Sequence, residues 1–209
     1  MRRTKAEAAE TREMILDAAE IAFWEKGVSR TSLKEIAIKA GVTRGAIYFH
    51  FRDKPTIYNA MIDRIKFPQE ELIDEIQKND SINPIDIVEK AACSCLKRFA
   101  DDERQQRVMT IITLRCEYVH EFSEMIKRLQ HAHDSMINLF ERMMQVAQKR
   151  NMLAHDWSPE DAARVMVSVV SGILTDWLNS EKTFDLKRLG EKMVTTYTSS
   201  FRNVVEKAA

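Results

Sequence analysis

The chain has 209 residues, with 32 Lys and Arg against 32 Asp and Glu, so its formal net charge is zero. Hydrophobic residues make up 44% and charged residues 31%, the balance of a globular rather than a disordered protein. Five Gly and four Pro are too few for the turns of a β-sandwich, a barrel or a doubly wound sheet, which predicts long helices with few connections.

In chain order, Thr4 and Glu7 have the spacing of a capping box, and Ile15, Ala18, Ala19, Ala22 and Phe23 recur at helical spacing. They predict a first helix over about 5–26, closed by Gly27. Ser32 and Glu35 form a second capping box ahead of Leu33, Ile36 and Ala37, and this short helix ends at Gly41 in the left-handed conformation. A third short helix starts at Thr43 and carries Ala46, Ile47 and Phe51. Helix four follows Asp53, which caps a first turn containing Pro55; Pro68 then breaks or kinks it. Asn83-Pro84 and Ser158-Pro159 each set a capping side chain before a proline at the first helical position. Further helices are predicted at about 84–100, 103–119, 122–150, 159–181 and 186–205. No strand-like alternation, internal repeat or low-complexity segment is present. Gly27, Gly41 and Gly45 fall close together and the next glycine is Gly172, so a small head over 1–54 precedes a body of long helices over 55–209. No run of about 18 apolar residues exists to span a membrane. The N-terminus lacks the apolar stretch of a signal peptide, and three Cys fit a reducing compartment, so a cytoplasmic location is expected.

Residues 31–51, TSLKEIAIKAGVTRGAIYFHF, hold the informative pattern. Two short helices flank Ala40-Gly41-Val42. Ala37 is small where the helices cross, Gly41 permits the sharp turn, and Val42 and Ile47 fill the space between. This is helix-turn-helix spacing, in which the second helix enters a DNA major groove. Thr43, Arg44, Gly45, Tyr48 and His50 lie on its exposed side. Arg44 suits guanine edges or phosphates, Gly45 admits close backbone approach, and Tyr48 and His50 suit phosphate oxygens. Lys54 opens the next helix, where dipole and ammonium both favour an anion.

The segment from about Thr11 to Lys54 resembles the DNA-binding head of TetR/AcrR-family transcriptional regulators. The matching residues include Ile15-Leu16-Asp17-Ala18-Ala19, Lys26-Gly27, Thr31-Ser32-Leu33, Ala40-Gly41-Val42-Thr43-Arg44-Gly45-Ala46-Ile47-Tyr48 and His50-Phe51. Arg115-Cys116-Glu117-Tyr118, Gly172, Trp177 and Phe184-Asp185-Leu186 are similar to the branch that represses multidrug efflux pumps, and Phe49 stands where that branch often has Trp. The resemblance implies an all-α fold of about nine helices: a three-helix head, with Thr31 and Ser32 added to its DNA-contacting set, joined to a ligand-binding and dimerisation body. It also implies an Ω-shaped homodimer reading a pseudo-palindromic duplex operator, with the helices at about 159–181 and 186–205 forming a four-helix bundle. A small lipophilic effector is implied, held by Phe67, Met109, Thr113, Glu117, Ile137, Met166, Val170, Ser171 and Leu174. Met166, Val170, Ser171 and Leu174 are expected on one helix face, Glu117 would favour cationic ligands, and a kink at Pro68 would pass ligand wedging to the heads. The function expected is an effector-released repressor of a multidrug efflux operon. A TetR-type regulator of a metabolic or stress operon, or a helical protein-interaction module, are the alternatives.

Glu117 and His120 have the Glu-x-x-His spacing of di-iron bundles, but no second such pair exists. Neither His131 and His133 nor Cys93 and Cys95 share a helix face. No phosphate loop or nucleophile elbow occurs, so no enzyme, metal or cofactor is expected. The neutral total conceals an asymmetry. Residues 1–54 carry eleven Lys and Arg against eight Asp and Glu, while 26–54 carry seven against two, around the predicted recognition helix.

Overall fold

The computed structural model describes residues 4–65, 83–116 and 123–203. Among these, helices α1 (Lys5–Lys26), α2 (Leu33–Lys39), α3 (Arg44–His50) and α4 (Lys54–Ile62) are followed by α5 (Pro84–Asp101) and α6 (Glu103–Leu114). Helices α7 (Ser123–Lys149), α8 (Pro159–Asn179) and α9 (Leu186–Phe201) complete the series. No strand occurs among the described residues; Leu153 and Arg202 form an isolated antiparallel bridge.

The helix starts follow their caps. Thr4 Oγ1 accepts from the Glu7 N–H while the Glu7 carboxylate accepts from the Thr4 N–H, at 3.2 and 2.7 Å, and Ser32 and Glu35 repeat the arrangement. Asp53, Asn83 and Ser158 cap α4, α5 and α8 ahead of their prolines. The α1 end turns at Gly27, whose φ of +83° would strain a side-chain-bearing residue.

Two compact units form. In the first, α2, α4 and α6 pack on α1, and α3 packs on α2. Its core includes Ile15, Leu16, Phe23, Ile36, Ile47, Ile57 and Tyr58. The Phe23 and Tyr58 rings meet edge to face at 6.1 Å. In the second, α9 packs on α5 and α8. Gly190 permits this approach: a Cβ there would lie 2.6 Å from Cδ1 of the buried Leu96. Trp177, set against Phe99 at 6.0 Å, donates its indole N–H to the Phe184 carbonyl.

Two helix ends differ from the periodicity. The helix expected over 103–119 ends at Leu114, and residues 115 and 116 are not helical. There the Arg115 carbonyl accepts the Val28 N–H at 2.9 Å, a bond to the loop after α1. The helix expected over 186–205 ends at Phe201, because Phe201 and Asn203 pair with Ala154 and Met152 across the chain. Arg202 is held at the same point by Asp86 and Glu89, at 2.9 and 2.7 Å. Helix α4 ends at Ile62; Pro68 lies outside the described residues.

Candidate nucleic-acid interface

Short capped helices at a fixed turn build the interface. Gly41 takes φ +66°, and the Val42 N–H returns to the Ala37 carbonyl at 3.0 Å, so α2 and α3 cross at a small side chain. Ile47 is fully buried beneath the turn. Thr43 caps α3 by accepting the Ala46 N–H at 3.2 Å. With Ile47 fixed inward, a helix of 3.6 residues per turn must present positions 44, 45, 48 and 49 outward, and all four are exposed.

Thr43, Arg44, Gly45 and Tyr48 therefore share one exposed arc. Arg44 Nη2 lies 3.1 Å from Tyr48 Oη, and its guanidinium sits 5.5 Å from the Tyr48 ring centroid. The hydrogen-bonded pair holds a planar donor fork over the helix surface, the geometry that guanine edges and phosphates accept. His50 is half-buried, its ring 5.0 Å from Phe49. Lys54 sits at the start of α4, and its ammonium reaches the Ser29 carbonyl at 3.2 Å. Asp53 caps the same helix, with the Thr56 hydroxyl holding its carboxyl below the usual range.

Ser32 is exposed, but its hydroxyl is committed to Glu35 at the α2 cap. Lys26 and the Ser32 bonds hold the Glu35 carboxyl at about 2. Thr31 does not join the arc. It is 2% exposed, and its hydroxyl donates to the Gly27 carbonyl at 2.7 Å, tying the loop to the end of α1.

Behind the arc, α1 carries an ionic joint that the sequence reading missed. Arg107 Nε lies 3.2 Å from Glu20 Oε1, while Arg64 and Arg104 each stand 3.6 Å from Glu20 Oε2. Arg64 also reaches Asp17 and Glu13, and Arg104 reaches Asp17. Glu20 is 3% exposed, and its Oε2 accepts no hydrogen bond. Burial pushes its carboxyl above the usual range against the pull of the three arginines. The acids recur at helical spacing on α1, but their partners come from residue 64 and from α6, so periodicity alone did not reveal the joint.

This geometry sets one expectation. Arg64→Met keeps much of the stem volume and removes the cation, leaving Glu20 and its neighbours undercompensated. Stability at neutral pH falls by about 2 kcal/mol, a shift of about 4–8 °C in melting temperature. Losing a cation raises the folded-state Glu20 pKa further, so the native variant binds protons more readily than the unfolded chain. The penalty therefore grows as pH rises through the Glu20 titration and shrinks on acidification. Melting curves of both proteins at pH 5 and pH 8 check this; an equal difference at both would contradict it.

The effector-side residues fall in several places. Met109 and Thr113 lie on α6 in the first unit; Met109 is half-buried, and exposed Thr113 donates to its carbonyl at 2.7 Å. In the second unit Ile137 and Met166 are buried, while Val170 and Leu174 are half-buried on the same α8 row as Met166. Ser171 is turned away from that row. It is exposed and lines an open groove of about 430 Å³ with Ser168, Gly172, Thr175, Asp176 and Asn179. Phe67 and Glu117, and with Glu117 the Glu-x-x-His pair, lie outside the described residues.

Two short helices at a left-handed glycine, backed by α1 and joined to a chain of long helices, define the helix-turn-helix regulator class. The pattern of bacterial regulatory proteins of the tetR family matches residues 15–61, and that of the MAATS-type transcriptional repressor C-terminal region matches residues 83–202. The chain belongs to the TetR family. It is 50% identical to the HTH-type transcriptional repressor BepR of Brucella suis, over 97% of each chain. It is 34% identical to the HTH-type transcriptional regulator TtgR of Pseudomonas putida, over 94% of this chain and 93% of that one. Among solved structures it is similar to NalD, the secondary repressor of the MexAB-OprM multidrug efflux pump in Pseudomonas aeruginosa. The TM-score is 0.86 at 30% identity, covering 96% of this chain and 100% of that one. A complex of SmeT with triclosan aligns with a TM-score of 0.79 at 28% identity, over 94% and 93% of the two chains.

Proposed function

We propose that the chain is a DNA-binding repressor of a multidrug efflux operon, released from its operator by a small lipophilic effector. The exposed arc of Thr43, Arg44, Gly45 and Tyr48 on α3 carries this reading, because it joins a donor fork and a bare backbone on one outward face. His50 and Lys54 supply flanking contacts to phosphates, while Ser32, bonded to Glu35, holds the start of α2 in place. The role of NalD as secondary repressor of the MexAB-OprM multidrug efflux pump, and the triclosan bound by SmeT, support the efflux operon and the lipophilic effector. Met166, Val170 and Leu174, with Ile137, offer the apolar side chains such a ligand needs.

A homodimer is part of the same proposal, and the hydroxyls of α8 and α9 are compatible with it. Ser171 and Thr175 donate to carbonyls of their own helix, and so do Thr195, Thr196, Ser199 and Ser200. A second copy burying these faces leaves no hydroxyl without a partner. Two copies then present two recognition helices to one palindromic duplex.

Titration with duplexes selected from a random pool, at 50 and 200 mM salt, tests the reading. A dimer contacting six to ten phosphates loses roughly 10³–10⁵ in affinity over that range. Binding that ignores salt, or selection that enriches no sequence, would count against it.

A further inference from the structure

Phe49 is 79% exposed, more than any other large apolar side chain among the described residues. The hydrogen-bonding roles on α3 leave it unused. The interior side of this segment is occupied by Ile47 and Phe51, and the Phe49 ring meets only the edge-to-face contact with its neighbour His50 among the ring contacts described, which leaves most of it open to solvent. Arg44 and Tyr48 form one row along α3, and Gly45 and Phe49 form the next. Gly45 contributes no side chain, and a Cβ added there would meet only Thr43 Oγ1, at 3.8 Å. Side chains on a helix lean toward its N-terminus, so Phe49 borders the bare backbone at Gly45. The result is a notch with a backbone floor, flanked by the hydrogen-bonded Arg44–Tyr48 pair and by a phenyl ring.

A phenyl ring offers no donor or acceptor to a base edge, and burying a base nitrogen or oxygen against it leaves that group unpaired. In the major groove the apolar group available is the C5 methyl of thymine. The row is continuous with the arc assigned to DNA, and the seven basic against two acidic residues of 26–54 draw a polyanion to it. We propose that Phe49 is a thymine reader: its ring packs against the C5 methyl of one thymine in each half-site, beside the base or phosphate taken by Arg44. This rests on the DNA-binding reading above and adds the base that the operator must contain.

The test removes the methyl alone. Duplexes are selected from a random pool with the wild-type protein, and each thymine of the enriched sequence is then exchanged singly for deoxyuridine, which keeps every hydrogen bond. At one position per half-site binding should weaken about fourfold, the effect of one buried methyl at about 0.8 kcal/mol. Exchange in both half-sites should multiply the losses. In Phe49→Ala the same exchange should have no effect, whereas Phe49→Leu should retain part of the discrimination. Since the ring is exposed, Phe49→Ala should melt as the wild type does, which separates recognition from folding. Deoxyuridine that is silent at every position, or that costs the wild type and Phe49→Ala equally, overturns the thymine reading and leaves DNA binding standing. Failure to enrich any duplex overturns both.

Discussion

Arg44→Ala should weaken operator binding by roughly 2–6 kcal/mol, thirtyfold or more, because each half-site loses a donor fork worth about 1–3 kcal/mol and the dimer carries two. Two features of α3 make this the largest expected loss among the DNA contacts. Arg44 is exposed and bonded to Tyr48, so its side chain is oriented before DNA arrives and pays less ordering entropy on binding. Its removal leaves the packing of α3 untouched, since Ile47 and Phe51 provide the buried anchors. Selectivity should fall together with affinity, and Arg44→Lys should not restore it, because an ammonium cannot reproduce a planar two-donor contact. Footprinting on the selected operator and on a scrambled duplex measures both quantities. An unchanged footprint with the alanine variant would remove Arg44 from recognition.

Gly172→Leu should break the dimer and, with it, tight operator binding. Within one chain the first side-chain atom has open space. A Cβ at Gly172 meets nothing within 4 Å, and replacing glycine in an exposed helix interior stabilises the helix by up to about 1 kcal/mol. A loss of dimer without a loss of melting temperature therefore reports another molecule at this surface. In a two-fold symmetric interface the residue occurs twice, so overpacking at about 1–3 kcal/mol per site raises the dimer dissociation constant thirtyfold or more. Each separated copy then reads a single half-site and forfeits the gain from linked binding. Sedimentation at several concentrations, alongside the melting temperature, gives the answer. A variant as stable as the wild type and equally dimeric would place the interface elsewhere.

Much of the architecture was written in local chemistry. The capping boxes at Thr4 and Ser32, the Asx and Ser caps before prolines, and Gly27 and Gly41 marked helix ends correctly, because each acts through bonds within a few residues. Residues 31–51 likewise gave the helix-turn-helix, since Gly41, Ala37 and Ile47 interact within one short hairpin. Helix ends fixed from a distance were not legible in this way. Leu114 ends α6 where the Arg115 carbonyl is taken by Val28, and Phe201 ends α9 where the chain pairs with residues 152–154.

The DNA-facing residues divide along the same line. Periodicity placed Arg44, Gly45 and Tyr48 on the outside, because one inward residue orients a two-turn helix. It did not distinguish Thr31, whose hydroxyl serves the end of α1, from the exposed Thr43. On α8, spacing grouped Ser171 with Met166, Val170 and Leu174, yet packing turned Ser171 to an open groove. The boundary between lining and surface on a long helix depends on which neighbours cover it, and those neighbours lie far away in sequence.

The amino-acid sequence by itself determined the helices, the turn at Gly41 and the class of regulator, because caps, glycines and hydrophobic spacing act over three or four residues. Tertiary structure alone decided the company those helices keep: Glu20 and Asp17 meeting Arg64, Arg104 and Arg107 from across the chain, and Gly190 closing on Leu96. The neutral total charge shows the difference most plainly. Counting located the basic stretch, but only folding paired the acids of α1 with arginines of the first unit while leaving Arg44 exposed beside Tyr48. Burial and distance, not composition, determine which charges are spent within the chain and which remain for a partner.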